Sequence, residues 1–329
     1  MLIMLLMTSC SPLLFDEASE NTPVENFEVM WKVIDEKYTF FRYKYIDWDK
    51  IHEKYRTQIN EHSTDEELFK VLSEMLYELK DGHTNLISPY NFSRNWSWYL
   101  DYPSNYDLEI IERHYLGSDY LISGGLQSTV IDSIAYIYYG SFSSPFTQAQ
   151  LDYLIDKYYY MKGIIIDIRG NKGGYVYLSD MLVSRFADKQ RLVAIRQYKM
   201  GKGHNDLSDA IGLSILPQGK KQFLKHTVVL TNRECYSAAN DFAVKISQFP
   251  HVTLMGDNTG GGGGLPVYYE LPNGWRFRFS STVTYTPDWF NIENGIAPDI
   301  KVDLNAEDEA KNVDTIIETA LNFIKSQYK

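Results

Sequence analysis

The sequence predicts an α/β protein whose N-terminal part is helical. Three observations carry this. Four short, apolar, largely β-branched runs, "IAYIYY" (134–139), "GIIIDI" (163–168), "TVVLT" (227–231) and "VTLMG" (252–256), have the composition of strands buried on both faces. Between them lie stretches whose apolar residues recur at helical spacing, which is the alternation expected of a largely parallel sheet. Ahead of them, residues 24–88 hold no such run and carry three helical stripes instead.

Taken in order, the first stripe is Phe27, Met30, Trp31, Ile34 and Tyr38, and the second is Trp48, Ile51, Tyr55 and Ile59, opened by Asp47 as N-cap. In the third, Thr64 and Glu67 have the spacing of a capping box, with Leu68, Val71, Leu72, Met75, Leu76 and Leu79 as the buried face. Residues 89–130 show no strong period and read as short strands and loops. From Ile131 to the end the α/β alternation holds, so 131–329 is expected to form the core domain. Leu151, Leu154, Ile155 and Tyr158 mark one crossover helix. Ala238, Ala239, Phe242, Ala243 and Ile246 mark another, and Val313, Ile316, Ile317, Ala320 and Phe323 a last one. "VYYELPNGWRFRF" reads as a hairpin, with Asn273-Gly274 suited to a type I′ turn. "TGGGGG" (259–264) is expected to be either a mobile lid or a flexible connection.

The formal net charge of −11 argues against a nucleic-acid partner, which needs clustered Lys and Arg. Met1 to Met7 is almost wholly apolar and runs into Thr8-Ser9-Cys10. This ending resembles the lipobox of bacterial lipoproteins, in which cleavage before the cysteine frees a thiol for lipid. Residues 1–23 are then signal and tether, and the resemblance implies lipidation at Cys10, a membrane held through that lipid, and the bacterial cell envelope as location. Met7 stands where Leu is usual, and no Lys or Arg precedes the apolar run. Cys235 is the second of two cysteines, so no disulfide framework is expected.

Several residues have the chemistry of an active site. Ser237 falls at the predicted start of a helix, where unpaired N–H groups and the helix dipole favour an oxyanion; the N–H of Ala238 is one such donor. Position alone fits a plain N-cap equally well. "DIRGNKGG" (167–174) follows a buried strand, and its paired glycines, Gly173 and Gly174, can turn the backbone so that N–H groups point into a cavity. His83, in "DGHT", can accept a proton from a serine hydroxyl. "HEKYR" (52–56) begins like a zinc-peptidase helix, but Arg56 replaces the second histidine, so no metal site is expected; no cofactor motif was found.

Taken together, "LKDGHT", "IIIDIRGNKGG", "NRECYSAAND" and "ENGIAPDIKVD", in this order, resemble the tail-specific and tricorn-core serine peptidases, a group that includes retinoid-binding relatives. The resemblance runs from about Phe27 to Val302. It implies the ββα spiral of Clp protease and crotonase behind an N-terminal helical segment, and an endopeptidase acting on peptides or unfolded protein. Ser237 is then the nucleophile, His83 the general base and Glu293 the acidic member, with Ala238 and either Gly173 or Gly174 forming the oxyanion hole. The chain departs from the pattern in three places. No lysine lies between Lys245 and Lys301, where the tail-specific branch has its base. Gly82 stands where the tricorn core has a relaying serine. Residues 89–130 lack the glycine-rich apolar pattern of a PDZ module. A binding protein for peptides or apolar ligands on the same scaffold is the alternative reading. Oligomeric state is not legible in the sequence.

Overall fold

The computed structural model describes residues 20–328. Cys10 and the apolar run before it lie outside the described residues. Three helices, Pro23–Lys37, Trp48–Arg56 and Asp65–Tyr77, open the fold, with Thr22, Asp47 and Thr64 as N-caps and the Thr64/Glu67 capping box formed. Thirteen strands follow among the described residues: β1 (Asn85–Ile87), β2 (Leu121–Ser123), β3 (Leu126–Ile131), β4 (Ile134–Tyr138), β5 (Gly163–Asp167), β6 (Arg191–Tyr198), β7 (Ile211–Ile215), β8 (Thr227–Thr231), β9 (Val252–Gly256), β10 (Pro266–Glu270), β11 (Arg276–Ser280), β12 (Thr282–Tyr285) and β13 (Ile300–Lys301).

Seven strands form the central sheet in the order β13-β9-β8-β5-β4-β3-β2. From β13 to β4 neighbours are parallel, while β3 and β2 add an antiparallel edge. The four apolar runs are β4, β5, β8 and β9, and both faces of each are covered. Ile164, Ile166, Val229 and Leu254 meet the helices Gln148–Tyr158, Val176–Val183 and Ala238–Ile246 on one side. Ile165, Val228, Leu230 and Met255 meet the Thr315–Ser326 helix on the other. That two-sided burial is why these runs are continuously apolar rather than alternating. Two smaller antiparallel sheets, β12-β6-β7 and β1-β11-β10, complete the fold. The architecture is mixed α/β behind N-terminal helices.

Three local expectations change. The helices of 24–88 share one core with the C-terminal hairpin: Phe27, Met30, Ile34, Leu72 and Met75 pack with Trp275, Phe277 and Phe279, and β1 pairs with β11. The central sheet starts at Leu121, before Ile131, and 97–116 contains short helical turns as well as loops. The β10–β11 hairpin forms, but its turn is not type I′. Gly274 alone in the turn has positive φ (81°); its N–H donates to the Leu271 carbonyl at 2.8 Å, and the Leu271 N–H donates to the Trp275 carbonyl at 2.7 Å. Pro272, with φ fixed near −65°, suits the second position of a type I turn, which leaves Gly274 as the left-handed bulge residue.

Candidate active site

The carboxyl ends of the adjacent parallel strands β5 and β8 carry the two motif loops side by side, the position where open α/β sheets place their ligands. After β5 the chain turns through 168–174. Arg169, fully buried, grips Asp167 through Nε (2.9 Å) and Nη2 (2.6 Å) and reaches Asp314 at 3.0 Å, while the Tyr136 hydroxyl donates to Asp167 at 2.8 Å. Asp167 is therefore an anchor of the turn. Asn171 locks the glycines. Its Nδ2 donates to the Tyr139 carbonyl (2.8 Å), its Oδ1 accepts the Gly173 N–H (3.0 Å), and its carbonyl accepts the Tyr236 N–H (3.1 Å).

After β8, residues 232–236 lead into the Ala238–Ile246 helix. Ser237 precedes its first residue with φ 55° and ψ −119°, a sparsely populated conformation for a side chain with a Cβ. Its N–H donates to the Gly261 carbonyl and its own carbonyl accepts the Asp241 N–H, both at 2.8 Å. Among the described residues its hydroxyl has no hydrogen-bond partner and makes no cap bond. The plain N-cap reading thus lacks its defining bond. Ala238 is the first helical residue, so its N–H has no intrahelical acceptor, and no other described group accepts it. Gly173 packs directly on this corner: a Cβ there would lie 2.8 Å from Ser237 Cβ and 3.0 Å from the Ala238 nitrogen. Since the Gly173 N–H is taken by Asn171, Gly174 is the glycine of the pair whose N–H meets no acceptor among the described residues.

The five glycines of 260–264 are buried and four of them are hydrogen-bonded, so this segment is neither lid nor loose connection. Gly260, Gly262 and Gly263 donate to Cys235, Glu293 carbonyl and Glu293 Oε2 respectively, each at 2.9 Å. Gly261 (φ +93°) runs so close to Glu293 that a Cβ would sit 1.9 Å from its carbonyl oxygen. The glycines are there because the backbone threads between Tyr236 and Glu293, the lining of the site.

His83 lies with its ring centroid 5.0 Å from that of Tyr236, the residue before Ser237. No hydrogen bond joins His83 to Ser237 in this structure, and His83 Nδ1 is buried without a partner among the described residues. Burial pushes the imidazole down to about 4; the charge of Asp81 acts the other way, and those of Arg278 and Lys44 with it. The ring is therefore neutral at pH 7. Glu293 makes no hydrogen bond or ion pair with His83. Its Oε1 pairs with Lys44 Nζ at 2.7 Å and its Oε2 accepts the Gly263 N–H. Burial pushes the Glu293 carboxyl up to about 7, against the pull of Lys44 and with the push of Asp81. Lys44 also donates to the Lys80 carbonyl at 2.8 Å, and its pKa is raised because the charges of Glu293 and Asp81 outweigh its burial.

Lys44, Asp81, Tyr236 and Trp98 complete the surroundings and were not anticipated from the sequence. Lys44 lies 249 residues from its partner, and no spacing signals such a pair. Asp81 stood in the quoted "DGHT" but carried no role there. Trp98 stacks on Tyr236 (centroids 4.1 Å apart, 26° between planes) and explains Gly82: a Cβ at 82 would lie 2.6 Å from Trp98 Nε1 and 2.9 Å from Tyr236 Cζ. The indole occupies the space a serine at this position would need. Lys245, the first lysine after Ser237, is held by Asp180 (2.6 Å) and Asp241 (2.7 Å). His52 of "HEKYR" pairs with Glu28 at 2.9 Å.

Comparison with known proteins follows this geometry. Residues 133–302 match the model of peptidase family S41, and residues 19–77 that of the tricorn protease C1 domain. The chain is 29% identical over 145 residues to the carboxy-terminal processing protease CtpA of Bacillus subtilis, covering 44% of this chain and 29% of that protein. It is 26% identical over 172 residues to the tricorn protease homolog of Saccharolobus solfataricus, covering 51% and 15% respectively. It thus spans well under half the length of these curated relatives. A solved structure of a candidate peptidase from Parabacteroides merdae is 44% identical, covers 93% of this chain and 97% of its own, and superposes with a TM-score of 0.89. Mature CPAF complexed with lactacystin, 11% identical over 93% and 97% of the two chains with a TM-score of 0.67, shares the fold.

Proposed function

Because the chain belongs to peptidase family S41, we propose that it is a serine endopeptidase acting on peptides or unfolded protein, with Ser237 as nucleophile. The observation that carries this is the backbone of Ser237. A strained residue costs of order 1–3 kcal/mol and persists where the surroundings over-determine it. Here it aims a hydroxyl without a protein partner beside the free N–H of Ala238 and the glycine turn.

In the proposed reaction neutral His83 takes the proton from Ser237 Oγ as that oxygen attacks the peptide carbonyl. The negative oxygen is received by the Ala238 N–H and a glycine N–H of the 173–174 turn, with Gly174 the better placed because Gly173 already serves Asn171. His83 then gives its proton to the leaving amine, and a water activated by the same ring releases the acyl group. Lys44 and Glu293 stand behind the histidine as a paired charge. The test is labelling with a fluorophosphonate probe: Ser237→Ala should abolish it and wild type should label. Unchanged labelling of Ser237→Ala would remove the assignment.

Cys10 is proposed to carry a lipid that holds the protein at the cell envelope, on the strength of the lipobox-like "MTSC". Metabolic incorporation of a fatty-acid analogue, lost in Cys10→Ser, tests it; equal incorporation in both would refute it.

A further inference from the structure

Two buried carboxylates, Asp81 and Glu293, belong to the surroundings of the site, and they are not equivalent. Both oxygens of Glu293 are engaged, by Lys44 at 2.7 Å and the Gly263 N–H at 2.9 Å. Asp81, fully enclosed, spends one oxygen only: Oδ1 accepts the backbone N–H of His83 at 2.8 Å and the Tyr236 hydroxyl at 3.3 Å. Among the described residues its Oδ2 is buried with no partner. The same is true of His83 Nδ1, in the residue whose own N–H Asp81 already holds. A buried acceptor and a buried ring nitrogen, each unpartnered and two residues apart, are complementary. Orphaned groups of this kind are rare enough in native interiors to need a reason.

We propose that Asp81 is the positioning residue for His83, its Oδ2 accepting the Nδ1–H and leaving Nε2 as the base that faces Ser237. This rests on the reading of Ser237 and His83 given above. The bond requires a side-chain rotation, and the surroundings favour it. Burial would raise the Asp81 carboxyl, but the charge of Lys44 leads the groups that act the other way, the His83 backbone N–H among them, and its pKa lies below the ordinary value. Tyr236 and Tyr38 are neutral donors beside it, their hydroxyls pushed well above the ordinary value by burial and then by Asp81. Ser280, also buried and unpartnered, faces Asp81 as a further donor. Among the groups acting on His83, Arg278 and Lys44 disfavour the imidazolium, the Gly264 carbonyl and Asp81 favour it, and Asp81 is the carboxylate among them. With Lys44 committed to Glu293, the charge that meets the imidazolium formed during acylation is that of Asp81. Glu293 then acts one step further back, by holding the lysine.

The test is the tautomer of His83, read from ¹⁵N shifts of histidine-labelled protein in the Ser237→Ala background, assigned by loss of the signal in His83→Gln. With Asp81 intact, Nδ1 should carry the proton and Nε2 should show the pyridine-type shift. In Asp81→Asn the pattern should invert or become mixed, because the carboxamide offers its own N–H to Nδ1. In proteins with Ser237 intact, Asp81→Asn should lower kcat on a peptide by roughly 10²- to 10⁴-fold at little change in KM, the range a misoriented catalytic histidine shows. An Nδ1 that is unprotonated with Asp81 present, or a tautomer indifferent to Asp81→Asn, overturns the proposal; the latter would mean that the Gly264 carbonyl holds the ring. The tautomer readout does not depend on Ser237, so loss of the nucleophile assignment by the probe experiment is a separate outcome.

Discussion

Placing a serine at Gly82 should destabilise the protein through one identifiable neighbour. The Cβ it would introduce lies 2.6 Å from Trp98 Nε1, 2.9 Å from Trp98 Cδ1 and 2.9 Å from Tyr236 Cζ, three contacts inside van der Waals distance before the hydroxyl is added. Gly82 has an ordinary backbone conformation, so the cost is packing and not strain at φ. Overpacking of this kind costs roughly 1–3 kcal/mol. Trp98→Ala alone removes a stacked pair, about 0.5–1.5 kcal/mol beyond its buried area. In the double variant two of the three close contacts vanish, so Gly82→Ser with Trp98→Ala should be less destabilised than the sum of the singles by about 1 kcal/mol or more. The measurement is denaturant unfolding of the four proteins in the Ser237→Ala background, where self-cleavage cannot interfere. Additivity within about 0.3–0.5 kcal/mol, the behaviour of independent sites, would refute the claim that Trp98 is what keeps a side chain out of position 82.

Two other outcomes follow from buried charge. Arg169→Ala should destabilise by about 3–5 kcal/mol in denaturant unfolding, because it leaves Asp167 and Asp314 buried without their cation; a loss under about 1 kcal/mol would show that the turn does not depend on this network. The acid limb of peptide turnover should lie near pH 4, where His83 titrates in the folded protein, and a limb at the ordinary histidine value of about 6.5 would show that the ring is not desolvated in the working enzyme. Stability should not report this titration cleanly. His83 is depressed, so the unfolded chain binds more protons and stability is lost as pH falls from about 6.5 towards about 4. Glu293 is raised, so the folded chain binds more protons and stability falls as pH rises from about 4.5 to about 7. Over the shared window the two slopes oppose each other.

Much of the frame was legible because it rests on local rules. The runs at 227–231 and 252–256 are strands with those bounds, short and largely apolar stretches whose two faces are both covered by helices. Thr22, Asp47 and Thr64 cap helices because orphan N–H groups at a helix start select for such side chains. Strands β6, β7 and β12 were not read. β7 alternates Ile211, Leu213 and Ile215 with Gly212 and Ser214, but over only five residues and with Ile211 exposed, and β6 pairs with β12 across more than eighty residues. The "TGGGGG" run was misread for the same reason. Glycine signals either freedom or close approach, and only the neighbours, Glu293 and Tyr236, decide which.

For the site itself, the sequence alone determined the serine at a helix start, the paired glycines after a buried strand, and the absence of a lysine between Lys245 and Lys301. These are properties of residue type and order along one stretch of chain. Tertiary structure decided the rest: that Gly173 lends its N–H to Asn171, that Glu293 is spent on Lys44, that Trp98 fills the place of a relaying serine, and that Asp81 is left with an unclaimed oxygen beside His83. These depend on which groups the folded chain brings together, near in sequence or far, and on which hydrogen-bonding atoms remain unpaired once the others are matched. Charge and hydrogen-bond capacity are fixed by residue identity, but whether they are satisfied is fixed by packing.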